Sequence, residues 1–195
     1  MAQLYELELT QVSDEELDRW YAEMDEGSRG RVDAMSAKRR RESLAGDHLA
    51  RTALAKKSGK APQAIVIRRE ESGKPTADEG YFSISHSGSL VVCAVSDKPL
   101  GVDVECICKS PLRVAQRYFS EEERMLSDAD EIVFWRVWTG KEALCKLSGE
   151  GLAGLKHADT LAPPVGVTLT SERRDGYVIT VAEQDLTTPK NGTIL

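Results

Sequence analysis

Polar and apolar residues alternate over residues 3–9, and a period of two predicts a strand there. Ser13 stands three residues before Glu16, a capping box that opens a helix to about Met24. Residues 36–57 carry a long helical pattern that Ser58-Gly59 closes. The β-branched run 64–68 predicts a strand. Ser72-Gly73-Lys74-Pro75 then predicts a turn, since a proline disfavours helical backbone at the residue before it. Runs 81–85 and 90–95 flank Ser87-Gly88-Ser89 and predict a hairpin, with 100–107 as the next strand. Ser120 and Glu123 make a second capping box, and 131–147 is a strongly apolar helix. Segments 165–170 and 177–181 pair around Asp175-Gly176, while 187–195 carries no clear signal. Helices followed by short strands recur in both halves, with no short repeat and no low-complexity tract.

Composition narrows the class. The chain has 195 residues, 41% hydrophobic and 30% charged, which suits one large soluble domain or two small ones sharing a core. The first 25 residues carry Glu6, Glu8, Asp14, Glu15 and Glu16 with no apolar run, so no signal peptide is expected. No stretch approaches the ~20 apolar residues of a membrane span. Four cysteines, Cys93, Cys106, Cys108 and Cys145, lack zinc-like spacing and read as reduced thiols of a cytoplasmic protein. The net charge of −6 is uneven: residues 28–60 hold ten Lys/Arg against three acids, leaving −13 on the rest. That basic segment is a solvated helix face or a site for a small polyanion, and no nucleic-acid partner is expected.

Three features carry candidate chemistry. On a strand, Asp103 and Glu105 of Gly101-Val102-Asp103-Val104-Glu105 point to one face. They make either a wet acidic face or a hard-oxygen site for Mg²⁺. Glu142 and Lys146 share one helix face with Trp135 and Trp138 beside it, a setting that favours a cleft over the alternative of a surface ion pair. Ser83-Ile84-Ser85-His86-Ser87-Gly88 gathers hydroxyls, an imidazole and a free backbone, a set that suits phosphate or simply a polar turn. Neither a P-loop nor a dinucleotide-binding glycine motif nor a G-x-S-x-G elbow is present.

Gly101-Val102-Asp103-Val104-Glu105 resembles the first signature of the 4′-phosphopantetheinyl transferase superfamily. Trp138-Thr139-Gly140-Lys141-Glu142-Ala143-Leu144-Cys145-Lys146 resembles the second. With Ser72-Gly73-Lys74-Pro75, Phe82 to Ser87 and Leu44-Ala45-Gly46-Asp47, the likeness covers roughly 28–155 and is to the Sfp-type, pseudo-dimeric branch. The resemblance implies an α+β fold of two similar halves about a pseudo-twofold axis: 1–100 for coenzyme A contacts, 101–186 for the metal and carrier docking, and a tail 187–195. It implies Mg²⁺ on Asp103, Glu105 and Glu142, with Lys146 on the phosphates. Ser85 and His86 would bind phosphate, and Gly73, Lys74 and Pro75 would lie beside the adenine. A serine of an apo acyl or peptidyl carrier protein would attack coenzyme A, Glu142 or a metal-bound water would take its proton, and adenosine 3′,5′-bisphosphate would leave.

One position departs from the family pattern. Glu42 stands where a basic residue meets the 3′-phosphate, so Arg40 or Arg41 is expected to substitute, helped by Arg29 or Arg31. Segment 106–119 holds Lys109, Arg113 and Arg117 and no acid, with Leu112, Val114 and Tyr118 among them. It is either an ordinary connecting helix whose charges face water or, as the resemblance implies, the docking surface for the carrier on a monomeric enzyme. The alternatives are a Mg²⁺-dependent nucleotide phosphohydrolase and a non-catalytic coenzyme A-binding module.

Overall fold

The computed structural model describes residues 1–71, 73–108 and 110–185. The first part runs β1 (Gln3–Glu8), α1 (Asp14–Glu23), α2 (Glu26–Asp33), α3 (Ala37–Ser58), β2 (Arg68–Arg69), β3 (Pro75–Thr76), β4 (Tyr81–Ser87) and β5 (Leu90–Ser96). The second runs β6 (Leu100–Cys106), α4 (Leu112–Tyr118), α5 (Glu121–Ala129), α6 (Glu131–Ser148), β7 (Val167–Arg174) and β8 (Tyr177–Gln184). The expected tail 187–195, together with Ser72 and Lys109, lies outside the described residues.

Each half sets one long helix on a three-stranded antiparallel sheet. The sheet orders are β1-β5-β4 and β6-β8-β7, with α3 over the first and α6 over the second. This is the expected α+β class, and it fits a pseudo-twofold relation between the halves. Strand β5 explains how the halves join. Val91, Cys93 and Val95 pack with Leu49, Ala53 and Leu54 of α3, whereas Leu90, Val92 and Ala94 pack with Leu100, Val102 and Val104 of β6. Both faces of β5 are buried, so it reads as a continuous apolar run rather than an alternating one. Burying a Val or Leu side chain contributes about 1.5–3 kcal/mol, and this strand does so on two sides.

Both capping boxes form, at Ser13/Glu16 and at Ser120/Glu123. Helix α2 escaped the sequence reading because Gly27 and Gly30 weaken its propensity; Asp25 caps it by accepting from Ser28 N at 2.9 Å. The strand expected at 64–68 is corrected. Pro62 opens a 3-10 turn over Pro62–Ala64, and only Arg68–Arg69 pairs, with Pro75–Thr76. Ile65 is fully buried while Val66 is 54% exposed, and the Ile65 carbonyl accepts from Arg51 rather than from a neighbouring strand. The last hairpin is longer than expected. Its turn places Asp175 at φ 41° and Gly176 at φ 87°, so strand pairing extends to Arg174 and Tyr177.

Gly101 is where β6 and α6 touch most closely. A Cβ there would lie 2.1 Å from Ala143 O and 2.6 Å from Leu147 N, both backbone atoms of the helix that carries Glu142 and Lys146. Gly101→Ala is therefore expected to force strand and helix apart. The expected loss is about 3 kcal/mol, which is roughly 6–12 °C in Tm for a chain of this size. Activity should fall further than stability, since Asp103 and Glu142 separate with their elements. A thermal melt paired with a turnover assay checks this, and an unshifted Tm would refute the close contact.

Candidate active site

Strand β6 turns Gly101, Asp103 and Glu105 toward α6, because its other residues, Val102 and Val104, are committed to the core shared with β5. Helix α6 presents Glu142 and Lys146, one turn apart, to the same space. Asp103 is buried at 4% exposure. Its Oδ1 accepts from Ser85 Oγ at 2.7 Å and from Lys146 Nζ at 2.8 Å. Lys146 Nζ also donates to Ser85 Oγ at 2.7 Å and to Ile84 O at 3.4 Å. The second oxygen, Asp103 Oδ2, is buried and has no hydrogen-bond partner. Glu105 accepts from Ser87 Oγ at 2.6 Å through Oε2 and from Trp138 Nε1 at 3.3 Å through Oε1.

Burial pushes the Glu142 carboxyl up to about 7, and the neighbouring charges of Asp103 and Glu105 push the same way against the opposing pull of Lys146. Burial also raises Glu105, and Asp103 adds to it, while Ser87, Trp138 and Lys146 pull it down. Like charges gathered in a half-buried space disfavour full ionisation, so the cluster has a standing demand for positive charge. Among the described residues, no three His, Cys, Asp or Glu side chains already close around a single point as a metal shell.

A cavity of about 320 Å³ opens beside this cluster, lined by Gly73, Lys74, Pro75, Ile84, Glu142 and Lys146 among others. Lys74 crosses from its loop to donate to Leu147 O at 2.9 Å, and burial lowers its pKa against the pull of Glu70. A wider concavity of about 920 Å³ shares Lys74 and Pro75 and continues past Tyr81 and Pro99.

Asp103, Glu105, Glu142, Lys146, Ser85 and the 73–75 loop are thus brought together. Arg40, Arg41 and His86 are not. Arg40 donates to Asp33 Oδ1 at 2.6 Å and lies over the Tyr21 ring, 4.3 Å from its centroid. Arg41 donates to Asp14 Oδ1 at 2.7 Å and to the carbonyls of Leu9 and Val12. Both arginines tie α3 to the N-terminal segment. His86 faces α3, with Nδ1 3.7 Å from Glu42, which is itself buried. In α4, Leu112 is exposed, as are Arg113 and Arg117, whereas Val114 and Tyr118 pack against the core. Lys109 lies outside the described residues.

Two groups near the site differ from their expectation: Arg69 had no expected role, and Ser87 was expected only as part of a phosphate-binding set or a polar turn. Arg69 donates to Gly73 O at 2.8 Å beside the cavity, and desolvation together with Arg31 lowers its pKa against the opposing pull of Asp47. Ser87, on Glu105, had a legible signal: Ser83, Ser85 and Ser87 share the period of two that Asp103 and Glu105 follow.

Comparison with known proteins gives a consistent set. Residues 99–187 match the model of the 4′-phosphopantetheinyl transferase superfamily, and residues 28–96 match that of the 4′-phosphopantetheinyl transferase N-terminal domain. A 4′-phosphopantetheinyl transferase of Bacillus subtilis is 38% identical over 119 residues, 57% of this chain and 53% of that protein. The gsp protein of Aneurinibacillus migulanus, also named a 4′-phosphopantetheinyl transferase, is 34% identical over 116 residues, 56% of this chain and 49% of its own. The Sfp protein of Bacillus subtilis strain 168, with the same name, is 34% identical over 57% of this chain and 53% of its own. The chain spans about half the length of the curated relatives it matches.

Proposed function

Since the chain belongs to the 4′-phosphopantetheinyl transferase superfamily, we propose that it transfers the 4′-phosphopantetheine arm of coenzyme A to a serine of an apo carrier protein. The observation that carries this reading is the convergence of Asp103 and Glu105 from β6 with Glu142 and Lys146 from α6 at the mouth of a cavity that Lys74 also lines. A phosphate ester needs positive charge around its oxygens and a base near the attacking hydroxyl, and these residues offer both. In the reaction the carrier serine Oγ bonds to the phosphorus nearest pantetheine. The bond from that phosphorus to the bridging oxygen breaks, and adenosine 3′,5′-bisphosphate leaves with the bond's electrons.

The donor set fits Mg²⁺: three carboxylates supply hard oxygens, and Asp103 Oδ2 is a buried oxygen without a partner. Asp103, Glu105 and Glu142 would hold the ion. When bound, Mg²⁺ would neutralise charge that builds on the phosphate oxygens. Lys146 adds a second positive charge from the same helix face. Glu142, which shares that space with Lys146, is also the side chain that would accept the serine proton. The division of labour follows the chain: residues 1–100 supply the nucleotide contacts, and 101–186 supply the acids and the carrier surface. Leu112, Arg113 and Arg117 of α4 form that surface, an exposed apolar residue beside two cations that suit an acidic carrier. The protein acts as a monomer in the cytoplasm; among the described residues, no helix is long and apolar enough to cross a membrane.

The test is incubation with coenzyme A, Mg²⁺ and a panel of apo carriers, read by intact mass. A mass gain of one phosphopantetheine on the carrier is expected. Hydrolysis of a nucleotide with no gain on any carrier would favour the phosphohydrolase reading and overturn this one.

The same proposal moves the 3′-phosphate from Arg40 and Arg41, which are held by Asp33 and Asp14, to Arg69 on the loop beside the cavity and Arg31 of the basic segment. Arg31→Ala with Arg69→Ala is expected to weaken coenzyme A at least about 10-fold, since charge-assisted contacts contribute about 1.5–3 kcal/mol. Dephospho-coenzyme A should lose little. Arg40→Ala with Arg41→Ala should lower Tm instead, with discrimination between the two ligands kept. Calorimetric titration with both ligands decides it: equal losses for the two in the Arg31/Arg69 variant would place the phosphate elsewhere.

A further inference from the structure

Strands β4 and β6 belong to separate sheets, yet they lie side by side and run in the same direction. What joins them is a ladder of serine hydroxyls. Ser83 Oγ accepts from Val102 N at 3.0 Å, Ser85 Oγ donates to Asp103 Oδ1 at 2.7 Å, and Ser87 Oγ donates to Glu105 Oε2 at 2.6 Å. Ser87 Oγ also accepts from Cys106 N at 3.1 Å. A serine hydroxyl has one hydrogen and two lone pairs. With the backbone N–H of Cys106 on a lone pair, the hydroxyl is oriented so that its single proton meets Glu105. The hydroxyl is therefore a directed donor rather than a free rotor.

Trp138 donates from the other side, Nε1 to Glu105 Oε1 at 3.3 Å, and its indole is itself packed against Tyr118 with ring centroids 5.8 Å apart. One donor on each oxygen fixes the plane of the carboxylate. It leaves the remaining lone pair of each oxygen for another partner. Groups that orient a metal-binding carboxylate in this way typically change metal affinity 10–100-fold when removed.

We propose that Ser87 is a positioning residue of this site: it sets the orientation of the Glu105 carboxylate, with Trp138 as the opposing donor, and so tunes affinity for the divalent cation. The proposal rests on the reading of Glu105 as a ligand of that cation. It assigns Ser87 a role distinct from Ser83, whose hydroxyl meets only backbone, and from Ser85, which is shared between Asp103 and Lys146. A purely structural serine would contribute its hydrogen bonds to stability and leave the cation untouched.

The experiment measures Mn²⁺ binding by electron paramagnetic resonance on the full chain, with coenzyme A present and no carrier, so no turnover enters the readout. Ser87→Ala is expected to weaken Mn²⁺ at least about 10-fold while the melt shifts by only a few degrees. Ser87→Thr, which keeps the hydroxyl on a strand that tolerates β-branching, should restore affinity to near wild type. Glu105→Gln runs alongside. If Glu105→Gln weakens Mn²⁺ and Ser87→Ala does not, the positioning role is wrong and the site reading stands. If neither changes it, or if wild type binds no Mn²⁺, the site reading fails and this inference fails with it. If Ser87→Thr is as weak as Ser87→Ala, the directed hydroxyl is not the cause and the proposal is overturned.

Discussion

Replacing Glu142 with glutamine is expected to cut transfer by orders of magnitude and, at the same time, to make the metal-free protein more heat-stable above pH 7. The two effects have one cause. Glu142 is half-buried beside Asp103 and Glu105, and its carboxyl is pushed up to about 7, first by burial and then by those charges. An acid whose folded pKa lies above its unfolded value binds more protons when folded. Its contribution to stability is full below the ordinary carboxyl value of 4.5 and is lost as pH rises through about 7. Glutamine removes the loss. Because the carboxylate is partly solvated, the gain above pH 7 is discounted to on the order of 2 kcal/mol, or roughly 4–8 °C in Tm.

Turnover should meanwhile fall by about 10²–10⁴, the usual contribution of a positioned base. Asp103→Asn makes a useful contrast. It should lose transfer as well, but it strands Lys146 Nζ, which sits 2.8 Å from Asp103 Oδ1, and so it should gain no stability. Melts at pH 5 and pH 8 in the presence of a chelator, together with the carrier mass assay, check both variants. Equal wild-type and Glu142→Gln melts at pH 8, or retained transfer, would show that Glu142 is not the strained acid of the site.

Lys141→Met is expected to be the most destabilising single replacement in the second half. Lys141 immediately precedes Glu142, yet its side chain leaves the cavity and runs into the core at 1% exposure. There Nζ meets Glu123 Oε2 at 2.8 Å and also donates to the Ala158 carbonyl. Glu123 is fully buried and accepts in addition from Ser120 N at 2.8 Å, Thr160 N at 3.0 Å and Thr160 Oγ1 at 2.8 Å. One ion pair therefore fastens α5, α6 and the segment through Thr160. Removing the lysine alone leaves a buried carboxylate without its counter-charge, which costs about 3–5 kcal/mol, or roughly 6–20 °C in Tm. Lys141→Met combined with Glu123→Gln should recover part of that loss by removing the buried charge, the remainder reflecting an amide nitrogen that cannot accept where a carboxylate oxygen did. A double-mutant cycle by chemical denaturation measures the coupling. A loss below about 1 kcal/mol for Lys141→Met would fit an exposed pair and contradict the burial.

These two predictions also mark where local sequence stops being informative. Asp103 with Glu105, and Glu142 with Lys146, were legible because strand and helix periods are local: they place side chains on faces before any tertiary contact forms. Both capping boxes and the turn at Asp175-Gly176 were legible for the same reason, since their partners lie within three residues. The sequence by itself therefore determined the order of most elements and which acids share a face.

Only the tertiary structure decided what each face meets. Lys141 and Lys146 lie on one helix, five residues apart. The first is sealed against Glu123 and the second opens on the cavity, because α5 covers one side of α6 and β6 the other. Arg40 and Arg41 carried the basic patch as well as Arg31 did, but Asp33 and Asp14 draw them away from the cavity. Residues 64–67 had strand-forming side chains, but among the described residues only Arg68 of the expected run 64–68 finds a strand to pair with, and a strand is stabilised by its partner rather than by its own propensity. The serine ladder belongs to the same class. Its period is written in the chain, but its meaning arises only where β4 lies beside β6 and each hydroxyl meets a group some 18 or 19 residues away.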